Sequence, residues 1–159
     1  MKLITDRTID DVERWRLLRS KGWGALNEME RREWLGQLPI TPNASKGMYT
    51  HNDMNRVESA VSEIATQLQL AGFLNKNVEV KTDWSYTDVL TKDDMSRYLG
   101  NIKLLADSVS IQATVPTVDE TLDYVKANTI ETILMEVLDV VESITRNWWY
   151  TNEIFSGEV

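Results

Sequence analysis

Apolar residues recur at steps of three and four along most of this chain. Met54, Val57, Val61, Ile64 and Leu68 fall on one helical face, which predicts a helix from His51 to Ala71. Thr50 is its cap and Gly72 its stop. Met95, Tyr98, Leu99, Ile102 and Leu105 repeat the pattern behind Thr91, a second cap with Asp93 and Asp94 in the first turn. Behind the cap Asp123, residues Ile130, Ile133, Leu134, Val137, Leu138, Val141 and Ile144 predict the longest helix, to about Trp149. That face is wide enough to meet more than one neighbour. A preliminary turn is expected at Thr117, with Glu120 completing a capping-box pattern.

The first forty residues predict a helical hairpin. Thr8 caps a helix with Asp10 and Asp11 in its first turn and a partial stripe of Val12, Trp15, Leu17 and Leu18; Gly22 and Gly24 stop it. Asn27 and Glu30 form a capping-box pattern for a second helix from Glu28 to about Leu38. Its sticky side is Met29, Trp34, Leu35 and Leu38, and Pro39 and Pro42 end it. Thr41 to Met48, TPNASKGM, reads as a linker with little to bury. Asn77 to Trp84, NVEVKTDW, alternates apolar and charged residues and predicts a short strand or an extended crossing.

Two of the helices share a pattern. MNRVESAVSEI (54–64) aligns with ANTIETILMEV (127–137), so that Asn55 matches Asn128 and Glu58 matches Glu131. In both, Asn stands five residues and Glu eight residues after the cap, and the two share one side of their helix. This predicts a long antiparallel pair with pseudo-twofold symmetry. Each Asn would lie near the opposite Glu and fix the register, as a buried Asn does in coiled coils.

Composition narrows the function. A chain of 159 residues suffices for one domain with a core. Its net charge of −8 repels phosphate backbones, so nucleic acid is not an expected partner. The absence of cysteine excludes disulfides, thiolate metal sites and a cysteine nucleophile. No stretch reaches the roughly 20 apolar residues of a membrane span, and MKLITDRTIDD lacks the apolar run of a signal peptide.

No catalytic motif is present. His51 is the only histidine, so the Glu-x-x-His pattern of di-iron bundles cannot form and no metal is expected. Serines lack a GxSxG context, and neither a Walker loop nor GxGxxG occurs. The paired carboxylates Asp10–Asp11 and Asp93–Asp94 sit in first turns, where the helix dipole accounts for them.

Tryptophan is more informative. Trp15, Trp23 and Trp34 lie in the hairpin, and Trp148, Trp149 and Tyr150 stand together near the end, followed by Ile154 and Phe155. Adjacent tryptophans point about 100° apart on a helix, so either both pack within the domain, against the arm for instance, or one packs inward while the other faces a partner. An extended tail is expected past Thr151–Asn152, able to fold back on the domain or to add to a neighbouring subunit.

Six stretches carry a resemblance. TDRTIDDV, KGMYTHNDMNRVESAV, VKTDW, DDMSRYLGNI, YVKANTIETIL and WWYTNEIFSGEV resemble, in this order, a family of small proteins from the structural-gene regions of tailed phages and prophages of Gram-positive bacteria. Members commonly carry a "DRTQADV"-like run, a "KGAYNYTDLNRVE"-like run and a Tyr/Phe-Ser-Gly-Glu ending. The resemblance covers most of the chain and is weaker from Gly22 to Pro42, a region that varies in length and character. The resemblance implies a non-enzymatic virion component of the tail, baseplate or fibre region, made in the host cytoplasm before assembly.

The expected protein is therefore mainly α. A helical arm (1–40) joins a bundle body (48–150) built on the long antiparallel pair, with one short extended segment and an extended C-terminal tail (151–159). It has no catalytic, cofactor or metal residues. Its partners are other virion proteins and copies of itself, with no nucleic acid and no membrane. The expected contact residues are Trp148, Trp149, Tyr150, Ile154 and Phe155, then Trp15, Trp23 and Trp34. The rival readings are an acidic soluble module that sequesters a host protein and a cell-wall glycosidase with two converging carboxylates.

Overall fold

The structure, a computed structural model, describes the backbone of residues 2–119 and 121–156 and side chains as far as Asn147, Glu120 excepted. It is mainly helical: α1 (Ile9–Lys21), a 3-10 turn (Trp23–Ala25), α2 (Glu28–Trp34), α3 (His51–Leu70), α4 (Lys92–Ser108) and α5 (Tyr124–Ser156). Among the described residues there is no strand, and 77–84 crosses the body as extended chain. The caps follow the sequence. Thr8, Asn27, Thr50 and Thr91 each complete a capping box with the acid three residues on. The Asp123 carboxylate accepts from the Lys126 N–H at 2.9 Å.

Helices α3, α4 and α5 pack on one another and form the body. The periodic residues are its core: Val57, Ile64, Leu68, Ile102, Leu105, Ile130, Leu134 and Val137 have no exposed surface. The wide face of α5 serves two neighbours, α3 and α4. Val78 and Val80 of the extended crossing pack on this core, which Trp84 joins. Gly72, at φ +78°, turns the chain out of α3 while Phe73 N–H returns to Leu68 C=O.

The arm has a separate small core of Leu18, Leu26 and Ala44, with Trp15 and Trp34 packed against it. Here the structure departs from the hydrophobic pattern. Met29 on α2 and Leu35 at its C-cap are exposed, while Glu30 and Glu33 are buried. Glu33 turns inward because it has donors there: Arg14 forks onto both of its oxygens, and the Ala44 N–H reaches it at 3.1 Å. The segment 41–48 is not a loose linker, since Asn43 and Ala44 are buried and Gly47 lies against the backbone of α1. A Cβ at Gly47 would stand 2.1 Å from the Asp11 carbonyl oxygen, so only glycine fits.

Two helix ends also differ. The second helix stops at Trp34 rather than Leu38, because Gly36 adopts φ +69° and Gln37 N–H closes back on Arg32 C=O. The last helix runs on through 151–156, where the extended tail was expected; residues 157–159 lie outside the described chain. Thr and Asn cost only about 0.5 kcal/mol each in a helix, and no true breaker occurs before Gly157.

Inside the body the Tyr49 and Tyr98 hydroxyls meet at 2.5 Å. Burial pushes the Tyr98 phenol well above its ordinary range, with Tyr49 and Glu131 adding to the shift, and burial likewise raises Tyr49. The unfolded chain loses these protons first, at the ordinary pKa of about 10. Stability is therefore intact below about pH 10 and falls as pH rises beyond it. In an alkaline titration we expect the tyrosinate absorbance of these two residues to appear only together with loss of helical circular dichroism. Reversible ionisation of both in a folded chain would contradict this packing.

Candidate functional site

Every charged group that a helical body buries must find a partner. In this protein the partners are stretches of extended backbone. The first stretch is Ile4 to Thr8. The Ile4 N–H donates to Glu131 Oε2 at 2.6 Å, and three residues on, Arg7 is gripped on both sides by Asn128. Asn128 Oδ1 accepts from the Arg7 N–H at 3.1 Å and its Nδ2 donates to the Arg7 C=O at 2.9 Å. The Arg7 guanidinium reaches Glu131 Oε1 at 2.7 Å and Asp53 at 3.1 Å. Arg56 pairs with the same two carboxylates at 2.7 and 2.8 Å. Two guanidiniums and two carboxylates thus close a neutral buried quartet. Burial works against the charge of Arg56, but Glu131 and Asp53 outweigh it and hold its pKa above the ordinary arginine value.

The second stretch is Lys81 to Ser85, held on α3. The Lys81 N–H donates to Glu58 Oε2 at 2.7 Å. Three residues on, the Trp84 N–H donates to Asn55 Oδ1 at 2.7 Å and Asn55 Nδ2 donates to the Trp84 C=O at 2.9 Å. The Trp84 side chain fills the role of Arg7, its Nε1 donating to Glu58 Oε1 at 2.9 Å. Arg97 supplies the balancing charge from α4, and the hydrogen bonds it donates to Glu58 raise its own pKa. Arg97 and Asn101 also hold the Glu79 C=O, which extends the grip upstream.

The Asn–Glu repeat is therefore a pair of equivalent clamps. Its partners differ from the expected ones: neither Asn meets the opposite Glu. Each instead satisfies both main-chain groups of one extended residue, which a helix face across the interface cannot offer because its own ladder uses them. A second repeat accompanies the first and escaped the sequence reading. Ile4-Thr5-Asp6-Arg7-Thr8 precedes Asp11-Val12 as Lys81-Thr82-Asp83-Trp84-Ser85 precedes Asp88-Val89. Both end in a matching turn, with Thr8 N–H on Asp11 and Ser85 N–H on Asp88, each at 2.9 Å. We call these two segments straps. The first strap lies in the clamp of α5, the second in the clamp of α3.

Of the expected contact residues, Trp15 and Trp34 are half-buried in the arm, their rings 6.4 Å apart. Trp23 stands edge-on to Trp34 at 6.5 Å and is 51% exposed, with Arg31 over its ring. Met29, Leu35 and Ile40 of the same arm are exposed as well. The side chains of Trp148, Trp149, Tyr150, Ile154 and Phe155 lie outside the described residues. An open depression of about 370 Å³ beside Asn128, lined by Ala113, Val125 and Ile133, contains one carboxylate, Glu136. Among the described residues no group of three or more His, Cys, Asp or Glu side chains is placed to hold a metal ion, and no helix is long and apolar enough to cross a membrane.

Compared with protein-family models, with curated proteins and with solved structures, the chain matches none.

The equivalence of the clamps is measurable. Asn55→Ala and Asn128→Ala each remove two main-chain partners and are expected to cost about 2 kcal/mol; one costly and one neutral substitution would contradict it. Arg7→Ala leaves Asp53 and Glu131 with Arg56 as their remaining guanidinium and is expected to cost about 3 kcal/mol. Chemical denaturation reads all three.

Proposed function

We propose that this chain is a non-enzymatic virion structural protein of a tailed phage or prophage, in the tail, baseplate or fibre region, working through contacts with other virion proteins and with its own copies. The observation that carries the proposal is how the buried polar groups are spent. Glu58, Glu131, Asp53 and Glu33 hold backbone or guanidinium groups of the same chain, so the acids that could do chemistry are committed to architecture. Among the exposed side chains are large apolar ones on the arm: Trp23, Met29, Leu35 and Ile40. Helix α5, at 33 residues against 20 in α3 and 17 in α4, carries Trp148, Trp149, Tyr150, Ile154 and Phe155, which in this reading meet a neighbour. In this reading α3 and α5 run as a long antiparallel pair, each carrying the clamp for the other half's strap. The motifs TDRTIDDV and VKTDW, which resemble the phage family, are the straps themselves.

One observation favours a second reading, an acidic soluble module that sequesters a host protein. Residues 1–75 hold ten acids and ten Lys or Arg, whereas residues 76–159 hold fifteen acids and seven, so the whole net charge sits in one half.

Mass spectrometry of purified particles separates the two. We expect the chain in washed particles at a fixed ratio to other structural proteins; its confinement to the soluble lysate would overturn the proposal. Light scattering on the full chain and on a chain ending at Arg146 then tests the aromatic end. The full chain is expected to self-associate and the shorter one to associate less; identical monomers would remove the end as a self-assembly element.

A further inference from the structure

The first strap belongs to a unit that is distinct from the body it grips. Residues 3–47 have their own core and their own ties: Lys46 to Asp6 at 2.6 Å, the Asn43 N–H to Asp11 at 2.6 Å, and Gly47 seated on α1. Ile4 and Arg7 make this unit's hydrogen bonds and ion pairs to α3 and α5. One chain connection, through Met48, leads from Gly47 to Tyr49 and the Thr50 cap.

The clamps read main-chain groups at a three-residue spacing, and they do so for straps at very different distances along the chain. Glu58 takes Lys81, 23 residues away, whereas Glu131 takes Ile4, 127 residues away. Nothing in the α5 clamp depends on its strap coming from the same molecule.

We propose that residues 3–47 exchange between two copies of this chain, so that Ile4 and Arg7 of each copy occupy the Asn128–Glu131 clamp of the other. This deepens the assembly reading and rests on it. Exchange preserves every clamp contact, so closed monomer and exchanged dimer differ only at the Met48 hinge and in the entropy of association. Short hinges invite exchange when strained, and this one is the single residue Met48. The product is a twofold dimer that buries no new apolar face and leaves Trp23, Met29, Leu35 and Ile40 of both arms exposed for further contacts.

Two full-length variants test it. Arg7→Ala damages the strap and spares the clamp; Asn128→Ala with Glu131→Gln damages the clamp and spares the strap. Refolded together, they are expected to form a mixed dimer with one intact clamp, seen by native mass spectrometry. Its unfolding midpoint should stand about 5 °C or more above that of either variant alone. Monomers that keep their separate midpoints would overturn the exchange. Dimers formed equally well by each variant alone would overturn it too, while leaving self-association by another surface standing. If either variant does not refold, light and isotope-heavy wild-type chains are refolded together at high concentration. A light–heavy dimer that keeps the Ile4 and Arg7 amides as protected as in the monomer supports exchange; monomers only, or a dimer with those amides unprotected, overturns it.

Discussion

Extended chain crossing a helical body brings main-chain N–H groups with no ladder to satisfy them, and an unsatisfied buried donor costs about 1–3 kcal/mol. The fold answers this need with carboxylates. All six buried acids among the described residues accept a backbone N–H from a residue outside the helices. Asp11 takes Thr8 and Asn43, Glu30 takes Asn27, Glu33 takes Ala44, Asp53 takes Thr50, Glu58 takes Lys81 and Glu131 takes Ile4. Four of them, Glu33, Asp53, Glu58 and Glu131, also hold an arginine. That pairing repays part of the cost of burying a charge, which carboxylates alone would not recover.

From this follows the shape of the molecule. Two straps and two clamps divide the chain into halves that hold each other crosswise, the first strap on α5 and the second on α3. The halves are not identical. Arg7 in one is Trp84 in the other, yet both side chains donate to the same oxygen of their clamp's Glu. The arm inserted after the first strap has no counterpart after the second, where α4 stands instead. A protein organised in this way commits its buried acids to holding itself together.

Much of the body was legible in the sequence, because helix periodicity and capping are local. The faces of α3, α4 and α5 and the caps Thr8, Asn27, Thr50 and Thr91 stand where the pattern puts them. The Asn–Glu repeat was also visible, but its partner was not. Sequence spacing shows which residues share a helix face and is silent about what lies across from it. The strap repeat was the missing signal, faint because only Thr, Asp and the later Asp and Val are identical in the two copies. On α2 the apolar pattern misled, since Arg14 and the Ala44 N–H make burying Glu33 cheaper than burying Met29.

The central claim is that the straps are structural members of the body, held as firmly as its helices. Native-state hydrogen exchange of the wild-type chain tests it most directly, through the amides of Ile4, Arg7, Lys81 and Trp84. The account predicts that these four non-helical amides exchange as slowly as the core of α3 and open only with global unfolding. Exchange of any strap at the rate of a free loop, while α3 and α5 stay protected, would contradict it.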